Sequence, residues 1–188
     1  MKHTLGALCA SALAASSAFA ADSYTLDPRH TFPVFEVSHY DLSLQRGRFN
    51  KTTGKIVLDL EDKTGSIDIV IDAASIDMGI DKWDEQMKSD AYFNVEVFPT
   101  ITYKSEKVLF LGDKPVTAEG KLTLLGVTKP VNINITSFKC GNHPINKKPL
   151  CGANVSAQLK RSEYGMTRAL PGIGDDIKIN IAVEAFKD

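Results

Sequence analysis

The residues able to do chemistry are few and widely spaced. Past the N-terminal leader the histidines are His30, His39 and His143. They form no His-x-His pair and no His-Glu-x-x-His run, and no glycine-rich phosphate loop follows a strand. A zinc or copper site needs several donors at short range, so only a meeting in space of His30 and His39 would begin one. The segment "LKRSEYGM" lacks the glycine-flanked nucleophile elbow of hydrolases. The carboxylates fall at strand edges and turns, where solvated faces explain them. These patterns predict no catalytic residue, no metal and no catalytic cofactor.

Cys140 and Cys151 flank "GNHPINKKPL", a polar segment with prolines near both ends. Apolar alternation runs into the first cysteine and out of the second, and no Cys-x-x-Cys is present. A disulfide across the end of a hairpin is therefore expected. In the chain-entropy model such a short loop contributes roughly 3 kcal/mol. A redox-active pair is the competing reading. The sequons at Asn50, Asn134 and Asn154 are read as coincidence, since two of them lie in predicted strands.

Export follows from the first residues. Lys2 precedes the apolar, small-residue run "TLGALCASALAASSAF", and Ala18-Phe19-Ala20 forms a cleavage site. Residues 1–20 read as a secretory signal peptide, the run being too short for a membrane span. Cys9 leaves with it, and the chain past Ala21 is expected in the periplasm, or secreted. Residues 21–188 suit one domain with a real core. Charge is nearly balanced, 22 Lys plus Arg against 23 Asp plus Glu. No basic stripe appears, so nucleic acid is not an expected partner.

The elements that must position these residues are mostly strands. "GSIDIVID" alternates Ile67, Ile69 and Ile71 against other residues; "VTAEGKLTLL" places Val116, Ala118, Gly120, Leu122 and Leu124 on one face. "VNINIT", "ANVSAQLK" and "IKINIAVEA" repeat the pattern, and four upstream segments share it. Roughly eight or nine strands joined by short polar turns predict an antiparallel sandwich or barrel. Small inward residues (Ala118, Gly120, Ala153, Ala157) either leave a dry space or are filled by large neighbours. The exception is "DKWDEQMKSDAYFNVEVFP", predicted to open as a helix over about 81–90 with Trp83 and Met87 on one face and Asp84, Glu85 and Lys88 elsewhere.

Several ordered motifs resemble the YceI-like family of exported, lipocalin-like polyisoprenoid-binding proteins. They are "YTLDPRHTFPVFEVSHY", "RGRF", the segment from "IDAASIDMG" to "FPTITYKS", "GKLTLLGVTKPV" and "LKRSEYGM". Together they cover nearly the whole chain past the leader. The resemblance implies an all-β, eight-stranded antiparallel lipocalin-like barrel with a short helix near one opening. It also implies an apolar channel taking the isoprenoid tail of a quinone such as ubiquinone, or of a polyprenyl phosphate. Transient membrane contact for lipid exchange, and a homodimer, are family-level expectations. Two departures are Pro33, which removes a ladder donor and suggests an edge or bulge, and a longer, more polar loop between the cysteines.

On this reading the tail channel is expected to be lined by Phe35, Val37, Leu122, Leu124, Val131, Ile133, Ile179 and Ile181. Phe49, Phe93 and Tyr103 would add aromatic walls, and His39 or Tyr103 would meet a polar head. Trp83 and Met87 would lie at the opening, as a plug or in ligand contact. His39 has a second reading as an ordinary core histidine. The alternative function is a non-catalytic envelope interaction or stress protein with a filled barrel.

Overall fold

Alternation of period two becomes, in the computed structural model, a continuous antiparallel ladder. The structure describes residues 21–188; the predicted signal peptide, 1–20, lies outside them. The strands are β1 (Asp22–Leu26), β2 (Phe32–His39), β3 (Ser43–Phe49), β4 (Thr52–Asp59), β5 (Thr64–Asp72) and β6 (Ile76–Asp77). After helix α1 (Asp81–Lys88) come β7 (Thr100–Leu111), β8 (Lys114–Leu124), β9 (Val127–Asn142), β10 (Pro149–Lys160) and β11 (Ile173–Lys187).

These segments make a closed eight-stranded barrel, because three pairs of short strands are single strands bent at a corner. β1 and β2 follow one another along β11, with Leu26 opposite Ala185 and Phe32 opposite Ala182. β3 and β4 run back along them, and β5 and β6 along β3 and β4. β7 to β10 are successive neighbours, and β11 closes the ring on β1 and β2. Among the described residues, closure leaves no long unpaired edge.

The corners are pinned by side chains. Asp72 accepts from the Ala74 N–H (3.0 Å), and the Ser75 hydroxyl donates to the Asp72 carbonyl and accepts from the Lys51 N–H. At the first corner Asp27 accepts from the Arg29 N–H at 3.0 Å. Pro33 sits beside that corner, paired with Ile181 of β11 before the ladder to β3 begins at Val34. Its missing N–H therefore falls where the strand is already broken, as expected of an edge or bulge proline.

Bulges decide which residues face inward. In β7 a shift between Ser105 and Lys107 turns Val108 into the core, and the Ser105 hydroxyl spans the irregularity by donating to the Lys107 or Glu119 carbonyl. A second shift, between Leu109 and Phe110, puts Pro115 rather than the expected Val116 in the inner wall. The turns at 40–42 and 125–126, the α1 region and the 161–172 connection share one end of the barrel. The turns at 60–63, 112–113 and 143–148 share the other.

Candidate functional site

Inward side chains from every barrel strand enclose an apolar channel of about 250 Å³. Twelve of the expected residues are in its wall: Phe35 and Val37 on β2, Phe49 on β3, Met87 on α1, Phe93 after it, Tyr103 on β7, Leu122 and Leu124 on β8, Val131 and Ile133 on β9, Ile179 and Ile181 on β11. The wall extends past Leu58, Val108 and Phe138 toward the far end. Each contributes by strand phase, since alternate positions of one strand share a face.

The small inward residues divide between the two readings. Ala153 and Ala157 border the channel. The space over Gly120 is filled by Tyr103, since a Cβ there would lie 2.5 Å from the tyrosine hydroxyl. That close approach requires glycine. The Tyr103 hydroxyl donates to the Ala118 carbonyl (3.0 Å) or the Val131 carbonyl (3.1 Å), and burial pushes its pKa up to about 12. Its donor is thus committed to the barrel, which corrects its expected role toward a ligand head.

Aromatic side chains gather at the helix-bearing end. The Phe49 and Phe93 rings lie 5.3 Å apart edge to face, and Phe35 lies 6.1 Å from Phe49 and 6.5 Å from Phe93. The segment after α1 is folded back by the Phe93 N–H donating to the Met87 carbonyl and the Val95 N–H to the Lys88 carbonyl. This places Met87, Tyr92 and Phe93 over the channel.

Two expected residues are not in the wall. Trp83 shares a helical face with Met87, but α1 is eight residues long and ends at Lys88 rather than Asp90. Of α1 the channel lining takes Met87, in the last turn, while Trp83 lies outside it, 39% exposed. His39 ends β2 where the strand leaves the barrel for its turn, and its ring packs edge to face on Tyr40 at 4.7 Å. Asp84, expected off the Trp83–Met87 face, accepts from the Met78 N–H and ties α1 to the chain after β6.

Sequence reasoning missed Arg161. It is 3% exposed and lies in the wall, where it donates to the carbonyls of Gly174 (2.8 Å), Met166 (3.0 Å), Arg168 (2.9 Å) and Ile173 (2.7 Å). One guanidinium thereby holds together the connection that covers the barrel end. Burial lowers its pKa, and the charge of Asp175 acts against that. Its signal was an arginine at the end of an apolar strand in "LKRSEYGM", where no solvent-facing role was required.

His30 and His39 do not meet. His30 Nδ1 lies 2.8 Å from Asp27 Oδ2 and 3.7 Å from Glu184 Oε2, a cluster at the first corner with atoms close enough to hold a cation. Both Asp27 oxygens are already engaged by Arg29 and His30. Burial pushes the Asp27 carboxyl up, but hydrogen bonds from His30 and Arg29 outweigh it and hold its pKa at about 2. The cluster reads as a lock on the β1–β2 corner. Cys140 and Cys151 face one another across β9 and β10 and are disulfide-bonded, with Cα atoms 4.0 Å apart, at the end away from α1.

A closed eight-stranded barrel around an apolar channel, covered at one end by a helix, defines a lipocalin-like architecture able to enclose an elongated apolar molecule. The chain belongs to the YceI-like domain family, whose pattern matches residues 24–185. A UPF0312 protein of Pseudomonas paraeruginosa is 33% identical over 192 residues, covering 100% of this chain and 99% of that one. Protein YceI of Salmonella newport is 28% identical, covering 99% and 98%. Among solved structures, Burkholderia cenocepacia BcnA superposes with a TM-score of 0.71 at 19% identity, covering 85% of this chain and 98% of that one. A polyisoprenoid-binding domain from Saccharophagus degradans superposes at 0.66 and 19% identity, covering 88% and 98%.

Proposed function

We propose that this protein is a non-catalytic, periplasmic carrier or sequestering protein for a polyisoprenoid lipid, with the tail in the barrel channel. The observation that carries the reading is the continuous apolar wall from the Phe35, Phe49 and Phe93 cluster to Leu58, Val108 and Phe138. Membership of the YceI-like family supports it, as does the description of the Saccharophagus degradans fold relative as a polyisoprenoid-binding domain. The predicted leader and the disulfide support a periplasmic location.

Each CH₂ moved out of water is worth roughly 0.8 kcal/mol, but a tail drawn from a bilayer is already in hydrocarbon. Net extraction therefore rests on packing and on head-group contacts, which suits reversible exchange. The ligand would load at a membrane surface, and the exposed apolar residues at the helix-bearing end (Tyr40, Leu42, Leu44, Ile80 and Trp83) are the contacts we assign to it. A long-chain quinone or a polyprenyl phosphate fits the tail requirement. A homodimer stays in this reading as a family-level expectation.

Organic extraction of the purified protein followed by mass spectrometry tests the proposal, and recovery of a prenyl lipid is the expected result. Protein that yields none and also fails to take up added quinone would sink it, leaving the second reading, an envelope interaction module that uses the same exposed apolar residues as a protein contact.

A further inference from the structure

The ladder between β9 and β10 stops short of the helix-bearing end. Its register runs from Pro149 opposite Asn142 to Ser156 opposite Asn134. Continued, it would pair Ile133 with Ala157, Asn132 with Gln158, Val131 with Leu159 and Pro130 with Lys160. None of these pairs forms. Both chains go on as strands there, each held on its far side alone. Residues 127–134 of β9 pair with 117–124 of β8, and 157–160 of β10 with 176–179 of β11. Pro130 has no N–H to give, and a proline within a sheet belongs on an edge. The seam between the two strands is therefore unzipped over its last few residues.

Apolar side chains fill the split. Val131 and Tyr164 belong to one buried cluster, and Ile133, Ala157 and Leu159 pack against it. Tyr164 is 2% exposed and ends the turn Arg161–Tyr164 that follows β10. The outward polar ties of that turn run to β11. Arg161 donates to the Gly174 and Ile173 carbonyls, and the Ser162 N–H and hydroxyl donate to Asp175. Among the described residues no hydrogen bond joins 127–133 to 157–172. The channel reaches this seam, since Val131, Ile133, Ala157 and Leu159 all line it. Ser156 lines it too, between Val155 and Ala157, where strand alternation alone would not place it.

Building on the carrier reading, we propose that this seam is a side port through which an elongated ligand enters and leaves the channel, with Tyr164 as its plug. The port continues the covered end down the wall as far as Asn134 and Ser156. There the paired ladder, and beyond it the Cys140–Cys151 bridge, stop it. Parting a fully paired seam would strip ladder hydrogen bonds beside an apolar channel, at about 1–3 kcal/mol for each group left unpaired. Parting the unzipped residues breaks no ladder bond. It separates Tyr164 and Leu159 from Val131 and Ile133, apolar contacts that a passing tail replaces. The tail then leaves sideways instead of threading end-on past Phe49, Phe93 and Met87.

The test is the rate at which delipidated protein exchanges a long-chain ubiquinone with phosphatidylcholine vesicles, followed by timed separation of the two. Asn132 and Gln158 are exposed and lie on opposite banks of the split. Asn132→Cys with Gln158→Cys, bridged by a bis-maleimide, should slow uptake and release alike by roughly tenfold or more, with affinity kept. The native disulfide holds Cys140 and Cys151 out of the maleimide reaction. The same bridge across the intact β10–β11 ladder, Gln158→Cys with Lys178→Cys, should leave both rates unchanged. Tyr164→Ala should speed both rates and Tyr164→Phe should not, with circular dichroism reporting that each folds. Unchanged rates with the seam bridged, or equal slowing by the control bridge, overturns the port. Wild type that takes up no ubiquinone overturns the carrier reading itself and the port with it.

Discussion

The rings of Phe49 and Phe93 meet edge to face, 5.3 Å between centroids and 85° between planes. One is at the end of β3 and the other follows α1, so this contact docks the helical segment onto the barrel. Such pairs add about 0.5–1.5 kcal/mol beyond their buried area. Phe93→Ala should destabilise the fold by about 2–3 kcal/mol and speed ligand exchange. Denaturant unfolding and the release rate of a bound quinone measure the two effects, and loss of stability without faster release would detach Phe93 from the closure.

Met87 and Trp83 should separate in binding although they share a helical face. Trp83 is largely outside the channel, so Trp83→Ala should change affinity by no more than about twofold, as expected for a surface residue. Met87→Ala, which removes part of the wall, should weaken binding several-fold more. A titration showing the reverse order would place the ligand at the rim.

Alkaline stability should report Tyr103. Its folded pKa is raised to about 12 from an ordinary 10.0 by burial. A raised value means that the folded state holds its proton longer, so its stabilisation is complete below pH 10 and lost as pH climbs toward 12. Over that window the loss is roughly 2–3 kcal/mol. Tyr103→Phe should flatten this limb in urea melts taken from pH 9 to 12, apart from any titration by the other tyrosines.

Acid stability should report Asp27 in the opposite sense. Its folded pKa is held at about 2 against an ordinary 3.8, so its contribution is present above pH 4 and is lost as pH falls toward 2. Asp27→Asn should lower stability at neutral pH and remove part of the acid limb. Identical acid limbs in the two proteins would contradict the corner lock.

Reducing Cys140–Cys151 should lower stability by about 3 kcal/mol, the value for a short closed loop. Because the bridge lies at the end away from α1 and the aromatic cluster, quinone affinity should hold at temperatures where the reduced protein stays folded. Parallel thermal melts and binding titrations with and without reductant check both halves.

Alternation of apolar and other residues was enough to place the strands and most of the wall, because a strand's period of two maps sequence phase directly onto a barrel's inside and outside. Ile133, Ile179 and Leu122 line the channel for that reason alone. The same rule misplaces residues wherever a strand shifts phase or runs out. Val116 yields to Pro115 at a bulge, His39 ends its strand outside the channel lining, and Trp83 sits one turn too early in a short helix.

Residue types and order therefore determined the all-β class, the export leader to be expected, the cysteine pair and the faces of the strands, all of which are local properties of the chain. Tertiary structure decided the rest. Gly120 became a seat for Tyr103 rather than open space, Arg161 became the clasp of a covering loop, and Thr52 was left as the one buried hydroxyl among the described residues without a partner. The physical reason is that hydrogen-bond satisfaction and cavity filling depend on groups distant in sequence, so they exist only once the barrel has closed.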